Sequence, residues 1–353
     1  MDTIIEQITG DKIHNREIME KASRILQSGG LVAFPTETVY GLGGNALDSN
    51  ASRKIYAAKG RPSDNPLIVH IADIKSLEDI VEDVPESARK LAGAFWPGPL
   101  TMIMKKKACV PKETTGGLDT VAVRMPSHPV AAQLIMTSGI YIAAPSANIS
   151  GRPSPTRARH VIEDLNGRID MIIADDTVDI GLESTIVDLS EGVPTILRPG
   201  CITLKMLEDV LGKVEIDKAA AAGASAADNI VARAPGMKYR HYAPKAQLTI
   251  VEGEPEHVIN TVNRLVSEKL AEGFKVGVMT TDENISSYLN GEIKSLGTRS
   301  DEETIARNLF DVLRYFDGYG ADYIYSEGFE DSGVGQAVMN RLIKAAGHRI
   351  IRV

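Results

Sequence analysis

Cysteine is nearly missing from this chain, with only Cys109 and Cys201 among 353 residues. They form no CxxC pair and have no histidine cluster at zinc spacing beside them. That excludes a disulfide framework and a structural metal, and fits a reduced, cytoplasmic setting. The opening stretch MDTIIEQITGDKIHNREIMEK lacks a long apolar run and is mixed in charge, so neither a signal peptide nor a membrane span is expected there. Aromatic residues make up 5% and no RNP or KH signature occurs, which leaves few platforms for stacking bases. The formal net charge is -8, so a broad basic surface that would hold nucleic acid by phosphate contacts is also lacking, although a local cleft could still be positive. Nor is there a GxGxxG nucleotide fingerprint.

What is present is ordinary globular material, 43% hydrophobic and 24% charged, long enough for two domains. Residues 16–30 carry Ile18, Met19, Ala22, Ile25 and Leu26 at helical spacing and end in glycines, which predicts an amphipathic helix. Short strand-like runs follow at 31–34, 67–71, 100–104, 120–125, 141–144, 171–174, 184–189 and 195–198, with helical stretches among them. The pattern predicts an α/β fold with a mixed sheet flanked by helices. From about 213 to 236, alanine, glycine and serine carry no apolar stripe wide enough for a core, as in a linker. Strand and helix then alternate to the end, predicting a smaller Rossmann-like domain. The division expected is 1–212, a linker over 213–244, and 245–353.

The polar groups gather at strand ends, where α/β sheets hold ligands. AAKGRPSDNPLIVH (57–70) places Lys59, Arg61, Ser63, Asn65 and His70 in one turn-rich segment that Pro62 and Pro66 hold out of a helix. IYIAAPSANISGRPSPTRARH (140–160) is an apolar run that spills into Ser146, Asn148, Ser150, Ser154 and three arginines, and Arg198 ends a third run. Fixed cations beside small donors suit a polyphosphate. Each residue also has a plainer reading. Arg124 could be an edge-strand arginine in a surface ion pair, His70 a satisfied core histidine, and the glycines of YGLGG a turn after a strand. Trp96 reads as packing, and Glu183 as a lone carboxylate that is solvated, paired or near an ATP-borne Mg²⁺.

PTETVYGLGGNA (35–46), KGRPSDNPL (59–67), FWPGPLT (95–101), TVAVRMPSHP (120–129), APSANISGRPSPT (144–156), ESTIVDL (183–189), LRPG (197–200) and PGMKYRHYAP (235–244) resemble, in this order, the L-threonylcarbamoyladenylate synthases in their two-domain form. The resemblance implies a YrdC-like mixed twisted sheet joined by a linker or lid to a smaller Rossmann-like domain. It also implies a reaction of ATP, L-threonine and bicarbonate that yields threonylcarbamoyl-AMP and pyrophosphate. Magnesium would come with ATP, a downstream transferase would take the product, and tRNA would be met only indirectly.

By the same resemblance, Thr38, His70, Arg124, Ala144 and Ser184 line a threonine pocket, with the Arg124 guanidinium forked onto the amino-acid carboxylate. Arg61, Asn65, Thr120, Ser146, Ser154 and Arg198 meet the nucleotide, while Lys59 and Asn148 complete a KxR and SxN signature. The PGMKYRHYAP segment offers Arg240, His241 and Tyr242 to ATP. Lys59, Arg61, Ser146 and Asn148 are the catalytic candidates, their cations facing a water-filled pocket. Two other classes stay open: an RNA-binding module using Arg152, Arg157 and Arg159, and a carbamoyl transferase of the hydrogenase-maturation type. Against the latter, the chain lacks the zinc-finger cysteines that accompany that chemistry.

Overall fold

The computed structural model describes residues 2–175, 178–217, 233–235, 241–330 and 332–353. Its first sheet is built from β1 (Ile4–Gln7), β2 (Val32–Phe34), β3 (Gly41–Asn45), β4 (Ile68–His70), β5 (Leu100–Lys105), β6 (Thr120–Arg124), β7 (Ile142–Ala144), β8 (Met171–Ala174), β9 (Thr185–Asp188), β10 (Thr195–Arg198) and β11 (Glu215–Ile216). Their order is β1-β8-β2-β3-β7-β4-β6-β5-β9-β10-β11, with parallel and antiparallel pairs mixed. The helices are α1 (Lys12–Gln27), α2 (Ser49–Lys59), α3 (Leu77–Ile80), α4 (Glu86–Phe95), α5 (Pro129–Ser138), α6 (Ala158–Leu165) and α7 (Leu204–Leu211). Alternation along β2 splits the core. Val32 and Phe34 pack with Ile18, Met19, Leu26, Leu134 and Ile135 of α1 and α5, while Ala33 joins Ile55, Leu91, Val161 and Leu207 of the helices on the other face.

Two differences from the sequence pattern have clear causes. Helix α1 starts at Lys12 because the Asp11 carboxylate caps the amides of Ile13 and His14, so the helix begins ahead of its apolar stripe. The YGLGG glycines, expected as a turn, form the central strand β3. A Cβ on Gly43 would stand 2.7 Å from Ile142 Cγ2 and 2.8 Å from Phe34 Cε1, so the strand can sit between β2 and β7 only without a side chain there.

The second unit is a five-stranded parallel sheet in the order β14-β13-β15-β12-β16, made of β12 (Gln247–Glu252), β13 (Val276–Thr280), β14 (Glu292–Ser295), β15 (Tyr323–Glu327) and β16 (Ile350–Arg352). Helix α8 (Pro255–Ala271) buries Val258, Val262 and Val266 on one face. Helices α9 (Glu302–Tyr319) and α10 (Gly333–Ala346) cover the other. Strand β11 pairs with β10, so the first sheet runs to residue 216, past the expected boundary at 212. Much of the expected linker, residues 218–232 and 236–240, lies outside the described residues.

The two units share a buried polar seam. Arg314 of α9 donates to Pro153 O at 2.7 Å and to Asp164 Oδ2 at 2.8 Å, and Val39 and Leu182 pack into the core of the second unit. The three arginines expected to be open to RNA belong to this seam. Arg157 and Arg159 both bind Asp311 of α9, at 2.9 and 2.6 Å, and Arg152 binds Asp164. Each is paired with a carboxylate of the same chain, although Arg157 and Arg159 stay solvent-exposed, which weakens the observation behind the RNA-binding reading.

Candidate active site

One pocket opens where the ends of β3, β4, β6, β7, β9 and β10 meet the segment around residue 241. It gathers Thr38, Lys59, Arg61, His70, Arg124, Ala144, Ser146, Asn148, Ser154, Ser184, Arg198, His241 and Tyr242. Register explains the gathering. His70 of β4 lies beside Arg124 on β6 and beside Ile142 on β7, and Arg124 pairs with Thr101 on β5, so four neighbouring strands have an end at one level. Helix α2 ends at Lys59, and Gly60, at φ 61°, turns the chain so that Arg61 enters the same mouth.

Arg61 and Arg198 are the pocket's available cations. The Arg61 guanidinium touches only carbonyls, Asn65 O at 3.3 Å and Pro66 O at 3.2 Å. Arg198 holds Ser184 O at 3.1 Å and Ser184 Oγ at 3.2 Å. Among the described residues neither has a carboxylate within ion-pair distance. Burial, the largest influence, lowers each to about 10, so both stay charged at neutral pH. Two buried guanidiniums without counter-ions favour an anionic ligand.

Lys59 departs from expectation. Its head does not face a water-filled pocket: the residue is 1% exposed, and Nζ donates to Ser146 O at 2.5 Å and also to Asn148 O. Burial, then the neighbouring Arg61 charge, push its pKa well below the usual lysine range. Buried there, the Lys59 head pins the 146–148 loop. That loop is tied further by Ser146 Oγ to Asn148 Oδ1 at 2.5 Å and by Asn148 Nδ2 to Arg152 O at 3.0 Å.

Arg124 is buried, so the surface ion-pair reading does not describe it. Nη1 donates to Thr38 Oγ1 at 2.8 Å, and Nη2 lies 2.8 Å from Glu37 Oε1 at a poor hydrogen-bond angle, so both Nη2 and the carboxylate keep unmet capacity. Burial raises the Glu37 pKa, yet Arg124 outweighs it and the carboxyl stays ionised. His70 Nδ1 donates to Ile68 O at 3.1 Å, and burial followed by the Arg124 charge drops its pKa to about 3, leaving a neutral ring. His241 Nε2 is buried without a partner among the described residues, and Tyr242, at φ 63°, stacks on Phe310 at 5.2 Å.

Asn65 and Thr120 are not part of the lining. Asn65 is buried behind Arg61, with its Oδ1 unpartnered. Thr120 pairs with Lys105 at the far end of β6, roughly 13 Å from Arg124 at ordinary strand rise. Arg240 lies outside the described residues. One acidic residue escaped the sequence reading of the pocket, Glu37, legible only as a carboxylate between two threonines, and Glu183 takes the paired reading and is no free metal ligand. Glu183 Oε1 accepts from Ser154 Oγ and Oε2 from Arg341 Nε at 3.0 Å. Burial raises its pKa, but Arg341 and then Arg198 hold it below the usual range. With both carboxylates held by arginines, these residues do not make a magnesium cage. A larger cavity of about 680 Å³ opens in the second unit, but its buried carboxylate, Glu327, is already held by Arg299, Asn284, Thr280 and Tyr288.

Such a strand-end pocket, where two buried arginines have no carboxylate partner among the described residues and an arginine–threonine pair lines the same cavity, suits an anionic ligand. The sequence matches the Sua5/YciO/YrdC family model, described as Telomere recombination, over residues 24–200, and the model for the C-terminal domain of threonylcarbamoyl-AMP synthase over residues 202–347. The chain belongs to the Sua5/YciO/YrdC family. It is 52% identical to the threonylcarbamoyl-AMP synthase of Pyrococcus abyssi, covering 94% of this chain and 95% of that one. It is 50% identical to the Bacillus subtilis protein of the same name, covering 98% and 97%. The solved structure of P. abyssi Sua5 with L-threonine superposes with a TM-score of 0.92 at 49% identity, covering all of both chains.

Proposed function

We propose that this pocket makes L-threonylcarbamoyl-AMP from L-threonine, bicarbonate and ATP with release of pyrophosphate, the first step of threonylcarbamoyladenosine formation in tRNA. The carrying observation is the pair of buried guanidiniums, Arg61 and Arg198, which have no carboxylate at ion-pair distance among the described residues and face the same cavity as Arg124 and Thr38. The neutral amine of threonine attacks the bicarbonate carbon and water leaves, giving a carbamate. A carbamate oxygen then attacks the α-phosphorus, the bond to the β-phosphate oxygen breaks, and pyrophosphate departs. Charge grows on the phosphate oxygens as this happens, and Arg61 and Arg198 stabilise it from fixed positions.

Arg124 and Thr38 would hold the amino-acid carboxylate, with the neutral His70 ring and Ala144 closing that end. Ser146, Asn148, Ser154 and His241 would face the nucleotide. Lys59 acts by fixing the loop that carries Ser146 and Asn148. Holding the reactants in line supplies much of the barrier lowering, on the order of 7–11 kcal/mol in favourable cases. Magnesium would enter on the ATP phosphates. The product is a mixed anhydride, so a transferase must consume it and tRNA would be met only by that second protein.

Incubation with ATP, radiolabelled bicarbonate and a panel of amino acids, followed by separation of nucleotides, tests the proposal. Label should enter an AMP adduct with threonine and not with the other amino acids. Label in no nucleotide product would sink the assignment.

A further inference from the structure

Helix α10 sits in the second unit, yet one of its side chains ends at the pocket of the first. Arg341 is fully buried and its guanidinium makes a three-way fork. Nε donates to Glu183 Oε2 at 3.0 Å, Nη2 to Glu183 O at 3.3 Å, and Nη1 to Pro199 O at 2.7 Å. Glu183 immediately precedes Ser184, and Pro199 immediately follows Arg198. The fork therefore ties together the two strand ends that carry Ser184 and Arg198, and it occupies the carboxylate between them.

We propose that Arg341 is a positioning residue for nucleotide binding: by taking the Glu183 carboxylate, it keeps Arg198 available for phosphate. The inference rests on the synthase reading of the pocket. Glu183 is buried and ionised, so it must have a cation; Arg341 and Arg198 act on it most, and Lys344 of the same helix, lowered by burial to about 7, also feels its charge. In the structure Arg341 takes it. Among the described residues Arg198 is left with neutral acceptors only, Ser184 O, Ser184 Oγ and, at 3.4 Å, Pro235 O. Without Arg341, the nearest relief for the Glu183 charge is an ion pair with Arg198, which would quench the charge the phosphates need. The Tyr242 ring lies 6.0 Å from the Arg341 guanidinium carbon. The second unit thus supplies a charge on which the pocket of the first depends.

Four full-length proteins test this: wild type, Arg341→Met, Glu183→Gln and the double variant, each titrated with ATP and with threonine by calorimetry and checked by thermal unfolding. Arg341→Met should weaken ATP by about tenfold, within the usual coupling range for contacting residues, and threonine much less. Adding Glu183→Gln to Arg341→Met should restore most of the ATP affinity, because the unpaired carboxylate is gone while Gln still accepts from Ser154. A merely structural fork predicts a double variant no better than Arg341→Met, and that result overturns the proposal, as does unchanged ATP affinity in Arg341→Met. Should Arg341→Met not fold, Arg341→Gln, which keeps donors for the carbonyls, carries the same comparison. Binding is read directly, so a wild type that binds ATP but makes no adenylate counts against the synthase reading alone.

Discussion

Replacing Lys59 with methionine separates two roles that sequence motifs cannot tell apart, a cation on the phosphates and an anchor for the loop. Methionine keeps the apolar stem and removes the ammonium, so the carbonyls of Ser146 and Asn148 lose their donor. Buried acceptors left unpaired cost about 1–3 kcal/mol each. Against this, the variant no longer buries an ammonium, a relief of up to several kcal/mol. We expect the lost bonds to win by about 2 kcal/mol, because two buried carbonyls lose their donor at once. Urea unfolding should show a lower midpoint at unchanged slope. ATP affinity should fall along with stability, since Ser146 and Asn148 lose their fixed geometry. An unchanged midpoint with a large loss of ATP affinity would refute the anchoring argument and return Lys59 to direct phosphate contact.

Arg124→Lys should weaken threonine more than ATP, by about tenfold or more, because one ammonium cannot hold Thr38 and Gly98 O and also meet a carboxylate; calorimetry showing equal loss for both would mark Arg124 as structural. Gly43→Ala should destabilise the fold by about 1–3 kcal/mol through overpacking against Ile142 and Phe34. Gly93→Ala, on α4 with open space at its Cβ, should be neutral or stabilising in the same denaturation assay. His70 binds its proton at about pH 3 when folded and near 6.5 when unfolded. Between those values the unfolded chain holds a proton that the folded one lacks. Stability therefore rises with pH across the window, by up to about 1.4 kcal/mol per unit, and the gain is complete above 6.5. His70→Gln should flatten that slope in urea unfolding between pH 4 and 6.5, and an unaltered slope would contradict the assignment.

The elements that the sequence hid share a physical feature. Strands β1, β11, β14 and β16 are all sheet edges, paired on one side only, and their residues are partly exposed and mixed in polarity. A strand with one open side needs no apolar run, so the run-based signal fails there. β3 fails for the opposite reason. It is central, but packing so close to Phe34 requires glycine, which reads as a turn. The interior strands β2, β4 to β10, β12, β13 and β15 were legible because burial on both faces demands unbroken apolar residues.

The site divides along a different line. Motif spacing brings Lys59, Arg61, Arg124 and Arg198 to one mouth, since strand ends and the α2 cap are local features. Spacing is silent on which of these charges is already consumed, because consumption is decided by partners far along the chain. Arg341 and Glu183 are 158 residues apart, and Arg159 and Asp311 are 152 apart. A guanidinium of identical local motif quality therefore ends without a carboxylate partner among the described residues at Arg198 and as an interdomain tie at Arg157. The distinction is set by where α9 and α10 place their acids and their two buried arginines, Arg314 and Arg341, against the first sheet. Since those helices fix the charge state of the pocket, separating the two units should cost anion affinity even with every motif residue of the first unit intact.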